Sequence, residues 1–193
     1  AGNAGPTATT SNYAIDTLVP TAAITYNSAS PYKNGETIII TATFSEAMAS
    51  TPIPQIAIAG SGIVNVGATP MTFSSTTVYT YSYVVPTGDG TGTISLSTGT
   101  DPAGNVITST PTSGTTFTVD NTAPTVSSFV LSDIALKDGE TSTVTLTFSE
   151  AVAGFSSDSD ITAVNGTLST MTTTDDIIWT GTFTPTVDIE DAS

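Results

Sequence analysis

Apolar and polar residues alternate with a period of two in short runs, and Gly, Pro, Asn and Ser interrupt the runs about every ten residues. The pattern is clearest over residues 78–85, where Tyr79, Tyr81 and Tyr83 share one face and Val78, Thr80, Ser82 and Val84 share the other. One of these faces packs on a core, and the alternation alone leaves open which. No stretch has the 3.6-residue period of a helix. The spacing predicts a β-sandwich of about seven strands, placed at 22–26, 37–44, 55–59, 63–72, 78–85, 92–97 and 115–120.

The pattern then repeats. Lys33-Asn34-Gly35-Glu36-Thr37 returns as Lys137-Asp138-Gly139-Glu140-Thr141, and Thr43-Phe44-Ser45-Glu46-Ala47 as Thr147-Phe148-Ser149-Glu150-Ala151, a step of 104 residues (33 to 137, 43 to 147). The same step carries Asp16-Thr17-Leu18-Val19-Pro20 onto Asp120-Asn121-Thr122-Ala123-Pro124. Whole domains are therefore duplicated in tandem. The second copy supplies strands at 125–131, 142–148, 161–164, near 167–172 and at 177–184, with Trp179-Thr180-Gly181-Thr182-Phe183 matching Tyr79-Thr80-Tyr81-Ser82-Tyr83; nothing up to Ser193 matches the last two strands of the first copy. At the other end, Tyr13-Ala14-Ile15-Asp16 parallels Phe117-Thr118-Val119-Asp120, the last strand of a domain. The expected organisation is all-β: residues 1–16 as the tail of a preceding domain, 17–120 as one complete sandwich and 121–193 as a partial one. Pro124 fixes its own φ and biases Ala123 toward extended geometry, so the 120–124 linker is expected to be short, with the domains end to end.

Composition narrows the chemistry. The 193 residues carry 17 acidic and 2 basic side chains, a net charge of −15 and a pI near 4.1, which disfavours nucleic acid and anionic lipid and favours cations. There is no Cys and no His, so disulfides, thiolate metal sites and the commonest general base are excluded. The longest apolar runs are far short of the ~20 residues of a membrane helix, and no direct membrane insertion is expected. Residues 1–6 lack the basic and apolar regions of a signal peptide, so either a signal was removed or the sequence is an internal window of a longer protein.

The Asp-x-x-x-Pro junctions (Asp16 to Pro20, Asp120 to Pro124), the Phe-Ser-Glu closing the second strand, the Asp101-Pro102-Ala103-Gly104-Asn105 loop and the Thr118-Val119-Asp120 exit carry a resemblance. Essentially the whole chain resembles the bacterial immunoglobulin-like repeats of large surface proteins, including repeats-in-toxin type adhesins and related biofilm and S-layer proteins. Leu18-Val19 departs from the more usual Thr-Ala before Pro20. The resemblance implies tandem immunoglobulin-like sandwiches in a secreted, cell-surface extender, often stabilised by calcium, whose binding domain lies elsewhere in the protein.

In such a sandwich Asp16, Glu46, Asp101 and Asn105 should converge at the N-terminal end of the complete domain. Three carboxylates and an amide oxygen are hard donors suited to Ca²⁺. Asp120 and Glu150 repeat two of these positions. The competing reading makes Asp101 a turn residue, Asp16 a linker cap and Glu46 a solvated side chain. Asp158, Asp160, Asp175 and Asp176 form a weaker acidic cluster without the spacing of a calcium loop. Lys33 and Lys137 invite comparison with intramolecular Lys–Asn cross-links but sit beside turn dipeptides, and Asn165-Gly166-Thr167 is a glycosylation sequon that also reads as a turn. Tyr79, Tyr81, Tyr83 and Trp179 could form a sugar-binding platform or pack on the core. Carboxylates in loops at domain ends lack the cleft that hydrolysis needs, so no enzyme is expected. The leading expectation is a calcium-stiffened adhesin extender whose partners are neighbouring repeats. The alternatives are an S-layer or filament subunit in which identical chains assemble by strand exchange, and a carbohydrate-binding module.

Overall fold

Eight strands build the first repeat: β1 (Ala22–Tyr26), β2 (Thr37–Phe44), β3 (Gln55–Ser61), β4 (Val66–Pro70), β5 (Thr72–Ser75), β6 (Val78–Val84), β7 (Gly90–Ser97) and β8 (Thr116–Val119). They lie in a computed structural model that describes residues 14–187. The tail expected over residues 1–16 falls, as far as residue 13, outside the described residues, and residues 14–16 are not in a strand. The chain divides into two compact units, Ala1–Asn121 and Thr122–Ser193.

In the first unit the strands form two four-stranded antiparallel sheets, β1-β2-β6-β5 and β4-β3-β7-β8. This is the strand partition of an immunoglobulin-like sandwich. Between them lies one core in which Ile38, Ile40 and Ala42 of β2 meet Ile56 and Ile58 of β3 and Ile94 and Leu96 of β7. The tyrosines of β6 stand opposite this β2 face, Tyr83 across from Ile38 and Tyr79 across from Ala42, and both are buried, at 4 % and 1 % exposure. Tyr81 is half-buried against the same core. The tyrosine face thus points inward, the core-packing reading of the two rather than the sugar platform: three large rings bury more apolar area than the Thr and Ser of the other face could.

The strand expected over 63–72 is corrected. β4 pairs with β3 in one sheet and β5 with β6 in the other, with buried Met71 between them donating its backbone N–H to Pro54 O at 2.9 Å. One alternating run crosses from sheet to sheet, a switch that period-two patterning cannot show.

The second unit has β9 (Val126–Leu131), β10 (Ser142–Phe148), a one-turn helix α1 (Ser157–Asp160), β11 (Gly166–Leu168), β12 (Thr172–Thr173) and β13 (Ile178–Pro185). Among the described residues they make a single sheet, β11-β13-β10-β9, with β12 also on β13. The registers repeat those of the first unit: Thr72 opposite Thr80 becomes Thr172 opposite Thr180. The strand expected at 161–164 does not form. In the first unit its counterpart β3 is held between β4 and β7, whereas here, among the described residues, no strand pairs with 161–164 and β11 lies on β13 instead. Val144, Leu146 and Met171 are buried, and Phe155 packs against Trp179, ring centroids 4.9 Å apart. Trp179 is thereby half-buried on the core side.

Candidate metal centre

The repeated Phe-Ser-Glu motif sets the site through its serine. At the end of β2, Ser45 Oγ accepts the Thr21 backbone N–H at 3.1 Å while the Ser45 N–H donates to Thr21 O at 2.8 Å. One repeat later Ser149 makes the same pair with Thr125, at 2.9 and 2.8 Å. This two-way clasp pins the segment preceding the first strand against the loop after the second. It fixes the next residue, Glu46, beside the incoming chain. The sequence reading singled out the glutamate and missed the serine, although conservation of the Ser between two copies of one chain was the available signal.

Asp101 sits in the loop after β7 at 1 % exposure. Its Oδ1 accepts the Asn105 N–H at 2.8 Å and its Oδ2 the Asn105 side-chain amide at 2.7 Å. Burial works to raise its pKa, but the hydrogen bonds from the Asn105 side chain and from the Asn105, Gly104 and Ala103 backbone outweigh it and hold the carboxyl below the usual aspartate range. The Asn105 amide also donates to Asp16 O at 3.2 Å, tying the incoming segment to this loop. Asn105 was expected to turn its amide oxygen to the centre; here the nitrogen faces Asp101, the orientation that places N–H dipoles toward negative charge. Asp16 Oδ1 accepts the Leu18 N–H at 3.0 Å, a linker cap.

Asp16, Glu46 and Asp101 are brought together: one carboxylate oxygen from each lies within 4.8 Å of the others. Glu46 Oε1 is buried and accepts no hydrogen bond. Burial first, and then the charges of Asp16 and Asp101, push the Glu46 carboxyl above the ordinary glutamate range. An orphaned carboxylate oxygen beside two further carboxylates suits a hard cation, which satisfies the lone pairs and cancels the repulsion at once.

The remaining candidates are placed elsewhere. Asp120 follows β8, and Glu150 follows β10 with its own Oε1 buried and unbonded, as at Glu46. Asp158 accepts the Thr170 hydroxyl, Asp160 the Ser156 N–H, and Asp175 the N–H groups of Ile177 and Ile178, which hold its carboxyl below the usual range. Asp176 has φ +57 in the same turn. Among the described residues these four do not converge as a ligand group. Lys33 and Lys137 are exposed, and each opens a turn closed by Glu36 or Glu140, whose carboxylates accept the lysine N–H at 3.3 and 2.9 Å. Gly35 and Gly139, with φ +83 and +81, supply the left-handed residue of that turn. Asn165 has φ +60 and leads into β11, the turn geometry expected of Asn-Gly.

Residues 120–193 match the bacterial Ig-like domain family, which shows the resemblance for the second repeat. Among solved structures the chain is similar to that of FdeC, described as a broadly conserved Escherichia coli adhesin eliciting protection against urinary tract infections. Identity is 17 % and the TM-score 0.40, over 86 % of this chain and 54 % of that one, so the chain spans about half the length of that structure. No curated protein matches the chain in sequence.

Proposed function

We propose that the chain is a non-enzymatic extender segment of a bacterial surface adhesin, carried outside the cell, whose first repeat takes up Ca²⁺ at Asp16, Glu46 and Asp101. Neighbouring repeats of the same polypeptide are its immediate partners. The observation that carries the reading is the meeting of three carboxylates within 4.8 Å around a buried Glu46 oxygen that accepts no hydrogen bond. Two unit charges about 4 Å apart repel by about 1 kcal/mol in water and about 4 kcal/mol at the effective dielectric of a protein surface. A divalent ion removes that repulsion and joins the segment before β1 to the loops after β2 and β7. The joint then loses freedom to bend, and length is held against load. Asp120 and Glu150 stand at the corresponding sequence positions one repeat later, and we propose them as carboxylate ligands of the same kind.

Calcium titration followed by calorimetry tests the proposal. At about a hundred times the dissociation constant, binding should stabilise the first unit by roughly 2.7 kcal/mol, on the order of 10 °C in Tm for a domain of this size. Asp101→Asn should reduce the rise and Glu46→Gln should abolish it. A Tm indifferent to Ca²⁺ and to chelator would remove the calcium joint and leave the fold untouched.

A further inference from the structure

Thr98, just past the end of β7, has φ +77, a left-handed backbone that is unfavourable for a β-branched side chain. It is the middle residue of a three-residue turn, since the Gly99 N–H donates to Ser97 O at 3.0 Å. With positive φ at its centre, this is the rarer and more strained hand of that turn. The side chain does not require the conformation, because it is exposed and its hydroxyl donates only to Gln55 Oε1, at 3.2 Å. Backbone strain of this kind persists where the surrounding structure over-determines it.

The constraints lie on both sides of Thr98. Before it, β7 is fixed through Ser97, which stands opposite Gln55 of β3. After it, residues 99–107 close on themselves as a small hairpin: the Ile107 N–H donates to Gly99 O at 3.0 Å, Thr100 bridges Val106, and the Asp101 N–H donates to Asn105 O at 3.1 Å. This hairpin, which carries Asp101, is laid against the loop after β2, which carries Glu46. Thr100 O accepts the Ala49 N–H at 2.8 Å. Gly99 is buried so closely that a Cβ there would stand 2.8 Å from Pro54 Cγ and 3.1 Å from Met48 Cε. Asp101 reaches Glu46 because the chain turns sharply at Thr98 and carries no side chain at Gly99.

We infer that Thr98 and Gly99 are positioning residues for the metal centre: the strained turn aims the hairpin, the bare Gly99 lets it seat on the Glu46 loop, and together they set the spacing of the Asp101 and Glu46 carboxylates. Neither residue is a ligand. Like charges repel, so a freely rotating joint at residue 98 would let the hairpin swing outward and take Asp101 with it. A turn with one fixed geometry holds the two carboxylates at a spacing that a single cation can bridge. The inference rests on the calcium reading above and adds to it the backbone device that assembles the ligands.

The test uses the 193-residue chain and Ca²⁺ itself. Thr98→Gly frees the φ angle without altering a ligand. Gly99→Ala wedges the hairpin off Pro54 and Met48. Titration calorimetry should show each variant binding Ca²⁺ more weakly than wild type, by on the order of tenfold. Thr98→Asn, whose side chain tolerates positive φ, should bind within about twofold of wild type, a rescue that general destabilisation of the loop would not give. Amide exchange at Ala49, measured in chelator, reads the seating of the hairpin without metal: it should quicken in Thr98→Gly and Gly99→Ala and stay slow in Thr98→Asn. Wild-type affinity in Thr98→Gly and Gly99→Ala, or unchanged exchange at Ala49, overturns the inference and leaves the calcium reading standing. A wild-type chain that takes up no Ca²⁺ removes the calcium reading, and the inference falls with it.

Discussion

Glu46 carries a charge in a position that opposes it, since its Oε1 is buried without a hydrogen bond and two carboxylates stand beside it. Its raised pKa means that, without metal, the folded state prefers the protonated acid. Glu46 therefore contributes stability that is complete below the ordinary value of 4.5 and is lost as pH rises through its raised value. Asp101 has the opposite sign: its hydrogen bonds contribute stability that is present above the ordinary 3.8 and is lost as pH falls through its lowered value. In chelator, acidifying from neutrality should first raise the Tm of the first unit and then, below the ordinary aspartate range, lower it. Glu46→Gln should remove the first limb and start from a higher Tm at pH 7. A wild-type Tm that only falls on acidification would sink this account. The acidic residue types and their convergence were legible, because loop positions in a sandwich follow from strand order. The orientation of Asn105 and the clasp made by Ser45 were not, because both depend on hydrogen-bond geometry that residue type does not set.

At the level of elements, legibility followed how local each cause is. β1, β2 and β10 occupy the ranges that alternation and flanking turn residues mark, since burial of one face is enough to specify them. The crossing from β4 to β5 and the unformed strand at 161–164 depend on partners distant in sequence, and pattern carries no information about those. The two repeats hold the residue between these short strands differently, the first at a crossing between sheets and the second where β11 and β12 both pair with β13. Met71 donates its N–H to Pro54 O, while Met171, one repeat on and equally buried, donates to Ser157 Oγ at 2.8 Å from the one-turn helix α1. Ser157→Ala should thus strand a buried N–H and destabilise the second unit by about 1–3 kcal/mol. Met71→Ala should instead open a cavity in the first unit and cost about 2–5 kcal/mol. Urea unfolding of each variant, read through Trp179 for the second unit and through far-UV dichroism for both, separates the effects. An unchanged Trp179 transition in Ser157→Ala would show that α1 does not anchor Met171.

At the scale of the whole chain, the step between paired motifs, 104 residues at Lys33 and Lys137 and 100 at Tyr79 and Trp179, made the duplication legible. How the described residues of the second unit pack was not legible, because Phe155 and α1 take positions that the first repeat does not foreshadow. The consequence is unequal stability. Nineteen hydrophobic residues of the two sheets and their connecting loops form the buried core of the first unit, whereas among the described residues the buried hydrophobic ones of the second are Val144, Leu146 and Met171. Buried apolar area is the main favourable term in folding, so two thermal transitions are expected, the second unit melting first. Ca²⁺ at the Asp16 cluster should move the upper transition and leave the lower one in place. The chain provides its own reporter of this order, because Lys33 and Lys137 are its only basic residues and trypsin has one site in each unit. Both lie in equivalent turns, so local sequence does not favour either. Cleavage of a transiently opened protein follows the population of the open form when reclosing outpaces the protease. Held between the two transitions at dilute trypsin, the chain should be cut after Lys137 at least tenfold faster than after Lys33, leaving a fragment of residues 1–137 readable by mass. Equal rates at the two sites would mean that the units open together, and earlier cutting at Lys33 would reverse the order of stability deduced from the two cores.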